Sequence, residues 1–213
     1  NVDRALMADF RFRLTGKLPE SLENLAGFLP GRPMMLWYGR RFEELLAAAE
    51  RAVENLQENP PHGRLYFLLW RLRALRWLGR DAEVGAAARD MLAHAESVST
   101  AEPDERTINE RIRMWGLVGA DRADEALAIG RRRVEAAAAP ARTAERWDCQ
   151  HELAQLCAWL GRTRDCVELL EALVRVPSVV PVPYLRLAPD WDNVREDAAF
   201  KTLLADPKNS GPL

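Results

Sequence analysis

A pattern of two apolar-striped helices joined at a glycine occurs three times in this chain, and it constrains the fold more than any other feature. Apolar residues at spacings of three and four lead up to each glycine and resume after it. The three glycines are Gly79, Gly119 and Gly161. The tryptophans that precede them are Trp77, Trp115 and Trp159. A glycine can end a helix in the left-handed conformation, so that the chain turns back and the two helices run antiparallel. Because a lone hairpin cannot bury its apolar face, the pattern predicts copies that stack.

A fourth, partial copy precedes these three. Its turn lies at 36–40, and its second helix, 42–56, carries a clear apolar stripe. Its first helix is interrupted by the prolines and glycine at 30–33. Residues 3–14 and 20–29 are predicted to form short helices at the N-terminal end of the array.

No segment alternates polar and apolar residues as a half-buried strand does. The β-branched run 179–182 contains Pro181 and is followed by Pro183, so we expect it to be extended without joining a sheet. The sequence therefore predicts an all-α protein, an α–α superhelix (solenoid) of antiparallel helix hairpins.

The residues around the first turn resemble the tetratricopeptide (TPR) family. A TPR hairpin has small or apolar residues near the end of its first helix, a glycine turn, and then an aromatic–acidic–acidic–alanine pattern. Segment 39–46 is similar to that pattern, with Ala49 and Ala52 behind it, and segment 124–127 is the next best match. The copies at 63–95 and 142–175 match only at the turn and the small residues behind it. The copies recur about every 40 residues, against roughly 34 in a regular TPR, so the resemblance implies divergent repeats.

The C-terminal segment 185–204 is similar to the tail that ends TPR regions in large bacterial signalling proteins, namely winged-helix regulators, adenylate cyclases and Ser/Thr kinases. The resemblance implies a regulatory parent protein of that kind. The apolar residues of this tail are expected to cover the last repeat, as terminal repeats require; they are Trp191, Val194, Phe200, Leu203 and Leu204. The predicted organisation is an N-terminal helical cap or degenerate repeat at 1–35, TPR-like repeats at 36–176 and a capping tail at 177–213.

No motif for catalysis or for a cofactor occurs in the sequence. A G-x-S-x-G nucleophile elbow and a glycine-rich phosphate loop are both missing, so we expect no enzyme activity, no cofactor and no metal. Cys149, Cys157 and Cys166 are expected to be core residues, because they lack the paired spacing of zinc ligands. An odd number of cysteines favours reduced thiols and a cytoplasmic location. With a net charge of −2 and no apolar run long enough for a membrane span, neither nucleic acid nor membrane is an expected partner.

The TPR resemblance implies that the first helix of each hairpin lines a concave groove. Register by the turn glycines assigns eight residues to that groove: Tyr66, Arg73, Arg76, Arg106, Asn109, Arg113, His151 and Gln155. Guanidinium groups bind carboxylates through two parallel hydrogen bonds. An acidic side chain or a C-terminal carboxylate of a bound peptide therefore fits this set. The other interpretation is that these arginines are ordinary solvated residues of an arginine-rich chain.

The leading hypothesis for function is a non-catalytic scaffold that binds a protein or peptide segment. A second hypothesis is a ligand-sensing or self-association module of a signalling protein. A third, an enzyme of unrecognised type, has no motif in its favour, although a fold never excludes a function by itself.

Overall fold

A computed structural model shows the chain to be mainly helical over the residues that it describes. The structure describes residues 2–18, 31–55, 61–97, 103–139, 142–176 and 180–209. Across these ranges it contains eleven α-helices and no β-strand, which confirms the all-α class. The chain divides into two compact units, which we name the central unit, Leu29–Ala126, and the terminal unit, Asn1–Phe28 together with Leu127–Leu213.

The helices of the central unit pack in chain order. They are α2 (Gly31–Tyr38), α3 (Phe42–Asn55), α4 (Pro61–Trp77), α5 (Asp81–Ser97) and α6 (Pro103–Gly119). Each contacts the next, and α4 also contacts α6. The largest fully buried side chains of this unit include Trp37, Leu72, Leu75, Met91 and Trp115, so the apolar stripes read from the sequence face one another.

Helix α2 contains Pro33, although the sequence argument took the prolines and glycine at 30–33 to interrupt it. The helix begins at Gly31, so Pro33 lies in its first turn. Backbone N–H groups there have no partner within the helix, so proline loses nothing at that position. The expected interruption of this first helix was therefore wrong, and a helix is present on each side of the turn.

The terminal unit combines the first helix of the chain with the last part of the sequence. Its helices are α1 (Val2–Thr15), α8 (Thr143–Trp159), α9 (Thr163–Leu173), α10 (Val182–Leu187) and α11 (Ala198–Ala205); α7 (Ala123–Ala136) includes the boundary between the units. Helix α1 confirms the helix expected at 3–14, whereas the one expected at 20–29 lies outside the described residues. Val182 begins α10, so the expected extended run is wrong at its last residue.

Segments after α9 cover α8 and α9. The 3-10 turn Pro189–Trp191 contacts α8, α11 contacts α9, and α10 contacts α11 and α1. The five apolar side chains expected to anchor this tail are all buried: Trp191, Val194, Phe200, Leu203 and Leu204. Ion pairing adds to the apolar packing of this unit, because Arg133 of α7 donates to Glu152 of α8 and each side chain is only 9% exposed.

Four turns between successive helices share one set of backbone hydrogen bonds. In each turn an arginine N–H donates to the carbonyl of the residue five positions earlier, at 2.8–3.0 Å. The four pairs are Arg41 to Leu36, Arg80 to Leu75, Arg122 to Leu117, and Arg162 to Cys157. The residue before each arginine donates in turn to the carbonyl three positions back. Together these are the two bonds of a Schellman motif, which needs a left-handed residue just before the arginine.

Glycine supplies the left-handed residue in only two of the four turns. Gly79 and Gly161 have φ values of 68° and 66°, as predicted. In the other two turns the left-handed residues are Arg40, with φ 56°, and Asp121, with φ 59°. The prediction that glycine fills this role was therefore wrong at Gly119, whereas the turn expected at Gly39 is present, with Arg40 as its left-handed residue.

Gly119 has a different role, because it is the last residue of α6 rather than part of the turn. A Cβ at this position would lie 2.8 Å from Leu72 Cδ1 and 2.9 Å from Ala88 Cβ. These two neighbours belong to α4 and α5. The missing side chain therefore allows three helices to approach closely.

The arginine that follows each turn also pairs with an acidic residue three positions later. The pairs are Arg41–Glu44, Arg80–Glu83, Arg122–Glu125 and Arg162–Asp165. Hydrogen bonds from the arginines lower the pKa of Glu44 and of Glu125 below the usual value. Each carboxylate lies in the first turn of its helix, where it complements the positive end of the helix dipole. The same four-residue device therefore closes one helix and starts the next.

Candidate functional site

Arg73, the central member of the predicted groove set, lies among three tryptophan rings. Its guanidinium carbon is 4.7 Å from the ring centroid of Trp115, 5.4 Å from that of Trp70 and 5.7 Å from that of Trp37. Only 7% of the residue is exposed. A guanidinium over indole faces is attracted by the ring quadrupole, and more strongly when water is excluded. Arg73 is therefore placed to join α2, α4 and α6, and it presents little surface to a ligand.

The other predicted residues of α4 are more accessible. Arg76 is exposed and forms a long contact of 3.4 Å with Asp81. Tyr66 is half-buried, with its ring edge-on to Trp70 at a centroid distance of 5.9 Å. Arg76 and Tyr66 thus keep surface that a partner could contact.

The predicted residues of α6 are split between core and surface. Asn109 is buried, and its side-chain amide donates to the carbonyl of Ala95 on α5. Arg106 and Arg113 are exposed. Arg113 is close enough to Glu125 to contribute to lowering the pKa of that carboxyl, after the larger effect of the Arg122 hydrogen bond.

The register used to assign the groove residues was wrong for α6. It aligned the glycines, but Gly119 lies inside the helix, whereas Gly79 and Gly161 follow theirs. Counted back from the arginine of each Schellman turn, the residue equivalent to Arg73 is Trp115, not Arg113. Arg73 and Trp115 contact each other.

His151 and Gln155 of α8 contact the chain's own tail. The Gln155 side-chain amide donates to Asp190 Oδ1 at 3.0 Å and to the Tyr184 hydroxyl at 3.2 Å. The His151 ring lies 5.7 Å from the Tyr184 ring and 6.0 Å from the Trp191 ring, centroid to centroid. Asp190 is only 5% exposed. The α8 side chains expected to meet a ligand are thus in contact with a buried carboxylate and an aromatic hydroxyl from the same chain.

The eight predicted residues therefore fall into three groups. Arg73 and Asn109 belong to the core of the central unit, while Tyr66, Arg76, Arg106 and Arg113 have accessible surface in the same unit. His151 and Gln155 contact the tail in the terminal unit. Sequence reasoning missed the partners that define these groups: Trp37, Trp70, Trp115, Tyr184 and Asp190. Counting back from the arginine of each turn would have aligned Arg73, Trp115 and Gln155.

The three thiols are buried, as predicted, and carry no disulfide. Burial raises the pKa of Cys157 from its ordinary value of 9.0 to about 11 and raises that of Cys149 and of Cys166 as well. A nucleophilic cysteine needs the opposite shift, because the thiolate is the reactive form. Burial therefore lowers the share of reactive thiolate that these cysteines carry at neutral pH.

Among the described residues, no group of three or more His, Cys, Asp or Glu side chains is placed to hold a metal ion. In the same part of the chain, no helix is both long enough and apolar enough to cross a membrane. Comparison with known proteins gives no match, since no family model, curated protein or solved structure resembles the chain at a significant level.

Proposed function

We propose that this chain is a non-catalytic scaffold, a TPR-like solenoid that binds a protein or peptide segment within a larger bacterial regulatory protein. The observation that carries the proposal is the Schellman turn with a following arginine–acid pair, which recurs at 41, 80, 122 and 162. A local device repeated about every 40 residues supports tandem copies of one hairpin, and stacked hairpins form extended binding surfaces. Burial and the raised pKa of the three thiols argue against a nucleophilic cysteine.

The proposed ligand is a peptide with an acidic side chain or a free C-terminal carboxylate. Arg76 and Arg113 carry this proposal, because both are exposed on first helices of the central unit. A charged hydrogen bond to a carboxylate contributes about 1.5–3 kcal/mol, so a peptide held by one of them should weaken at least about tenfold when it is removed.

The test is a binding screen with acidic peptides, each made with a free C-terminus and as the amide, read by fluorescence anisotropy. We expect the double variant R76A/R113A to lose at least about tenfold in affinity. The matched control is R51A/R89A, which removes two exposed arginines from second helices of the same unit. An equal loss in both variants, or no binding by the unmodified chain, would reject the acidic-peptide groove.

Self-association is the second candidate, and exposed apolar side chains of the terminal unit favour it. Met7 is 64% exposed, Phe10 46% and Leu187 45%. Met7 and Phe10 lie three residues apart on α1 and so share a face of that helix, and exposed apolar surface can mark an interaction site. Light scattering of the unmodified chain and of the Phe10→Glu variant tests this candidate. We expect the unmodified chain to form an oligomer and the variant to be a monomer. A monomer over the full concentration range would exclude this candidate.

A further inference from the structure

Helix α1 belongs to the terminal unit. Its extended contact among the described residues is with α10, a helix of six residues. Across residues 7–15 of α1, Phe12 is the one buried residue, at 2% exposed, whereas Met7 and Phe10 are open to solvent. Helix α8, by comparison, buries eight side chains. Elements with few buried apolar contacts open locally, at a smaller free energy than the whole domain.

The attachment is made by the end of α1 against one face of α10. The Arg13 guanidinium carbon lies 5.2 Å from the ring centroid of Tyr184. Gly16, at φ 70°, is so close to Leu187 that a Cβ there would overlap Leu187 Cδ1. Tyr184 and Leu187 are three residues apart on α10 and so share a face of that helix.

Tyr184 also connects this attachment to α8. Its hydroxyl accepts from the Gln155 amide at 3.2 Å, and its ring lies edge-on to His151. Asp190 Oδ1 accepts a hydrogen bond from the same Gln155 amide at 3.0 Å. One tyrosine therefore contacts α1 through its ring and α8 through its hydroxyl.

We propose that α1 is a releasable strap, which holds the tail against His151 and Gln155 and uncovers that face of α8 when it opens. The uncovered face then binds a peptide segment with an aromatic residue and a carboxylate, the chemistry that Tyr184 and Asp190 supply in the closed chain. This proposal rests on the proposed scaffold function. It adds that the regulated binding surface is the covered face of α8 and that α1 regulates access to it.

Hydrogen exchange of the full chain tests the strap without any partner. Amides of α1 should exchange at least about 100-fold faster than those of α8, because α1 opens without the rest of the unit. Equal exchange rates in α1 and α8 would overturn the proposal. Because no ligand is added, this result is independent of whether the chain binds an external peptide.

A matched pair of glycine variants tests whether the strap holds the tail. Gly16→Ala and Gly161→Ala introduce the same methyl group at nearly the same left-handed φ, but only at Gly16 does it meet a neighbour, since nothing lies within 4 Å at Gly161. The amides of α10 should exchange hydrogen at least about tenfold faster in G16A than in G161A. Adding Leu187→Ala to G16A should return the exchange rate of α10 to its original value, because the neighbour that the new methyl group meets is removed. If G16A does not fold, Arg13→Ala with Arg11→Ala as control replaces it. Equal exchange of α10 in variant and control contradicts the strap.

The binding arm uses a fluorescent synthetic peptide of residues 180–200, which carries Tyr184 and Asp190. We expect the full-length variant with the loosened strap to bind this peptide at least about tenfold more tightly than its control, because its α8 face is uncovered more often. Binding that is equal in the two proteins, or absent from both, would show that opening α1 does not expose α8.

Discussion

Arg73 carries a charge into the core of the central unit because three indole rings replace part of its water shell. From the sequence, Arg73 was predicted to be an accessible contact in the groove. Its closest ring, that of Trp115, belongs to α6, at a centroid distance of 4.7 Å. The long side chain and planar charge of arginine suit such a site, and lysine would lack the flat face that stacks on indole.

Replacing Arg73 with alanine should lower the free energy of unfolding by about 2–4 kcal/mol, through lost cation–π contacts and lost packing of the side-chain stem. Arg76→Ala, one turn along and exposed, should change it by less than about 0.5 kcal/mol. Urea unfolding followed by tryptophan fluorescence measures both. Equal effects of the two substitutions would mean that the indole rings contribute no stability through Arg73.

The turns between paired helices follow one hydrogen-bonding scheme, and the residue at the left-handed position tunes their stability. Arg40 and Asp121 adopt a conformation that costs L-residues about 1–2 kcal/mol, whereas Gly79 and Gly161 adopt it freely. The two kinds of turn should therefore respond to substitution with opposite signs.

Arg40→Gly should stabilise the chain by about 0.5–1 kcal/mol, and Gly79→Ala should destabilise it by about 1 kcal/mol. Nothing lies within 4 Å of a Cβ at Gly79, so backbone strain alone accounts for the expected loss. Differential scanning calorimetry of the two variants gives the signs. Two changes of the same sign would contradict the assigned left-handed positions.

Gly119 should also be sensitive to substitution, because of close helix packing rather than backbone strain. Gly119→Ala should destabilise the chain by about 1–3 kcal/mol, because the new methyl group meets Leu72 and Ala88 in a filled core. Gly85→Ala, in α5, should instead stabilise it by about 0.5–1 kcal/mol through helix propensity, since its nearest neighbour would be 3.7 Å away. Thermal unfolding of both proteins measures this contrast, and a stable G119A variant would show that α4, α5 and α6 are not in contact there.

At the scale of the whole molecule, the terminal unit brings the first helix of the chain together with its last segment. All three cysteines lie in this unit and are buried there, so their thiols report whether it is intact. Burial raises the pKa of Cys157 to about 11, against an ordinary value of 9.0. Above pH 9 the unfolded chain therefore loses this proton before the folded chain does.

The free energy of unfolding should therefore fall as pH rises from about 9 towards 11, since fewer protons are bound in the unfolded state. The contribution of the neutral thiol is fully present below pH 9. Urea midpoints measured across this range test the slope, with Cys157→Ala as the control whose slope should be smaller. At pH 7 a thiol reagent should modify the native chain only as fast as the terminal unit opens. Rapid labelling in the absence of urea would contradict the burial of these side chains.

Local rules were enough to predict the class of the fold, the places where the chain turns between successive helices and many of the apolar residues that are buried. Helical periodicity and turn residues act over a few positions, so the stretches before Gly79 and Gly161 predict their helices and turns without further information. The same rules failed at Gly119, because the need for glycine there comes from Leu72 and Ala88, residues that are distant in sequence.

The sequence by itself therefore determined an all-α chain with short turns between helices, and the residues that form its apolar faces. Only the tertiary structure decided which charged and polar side chains reach solvent. Arg73 and Arg76 belong to one helix, yet one is enclosed by tryptophan rings and the other is exposed. Gln155 meets Asp190 of the tail rather than open solvent. Burial of a polar group depends on which segment packs over it, and that segment is often distant in sequence. Local patterns in a single sequence do not show which distant segments come together.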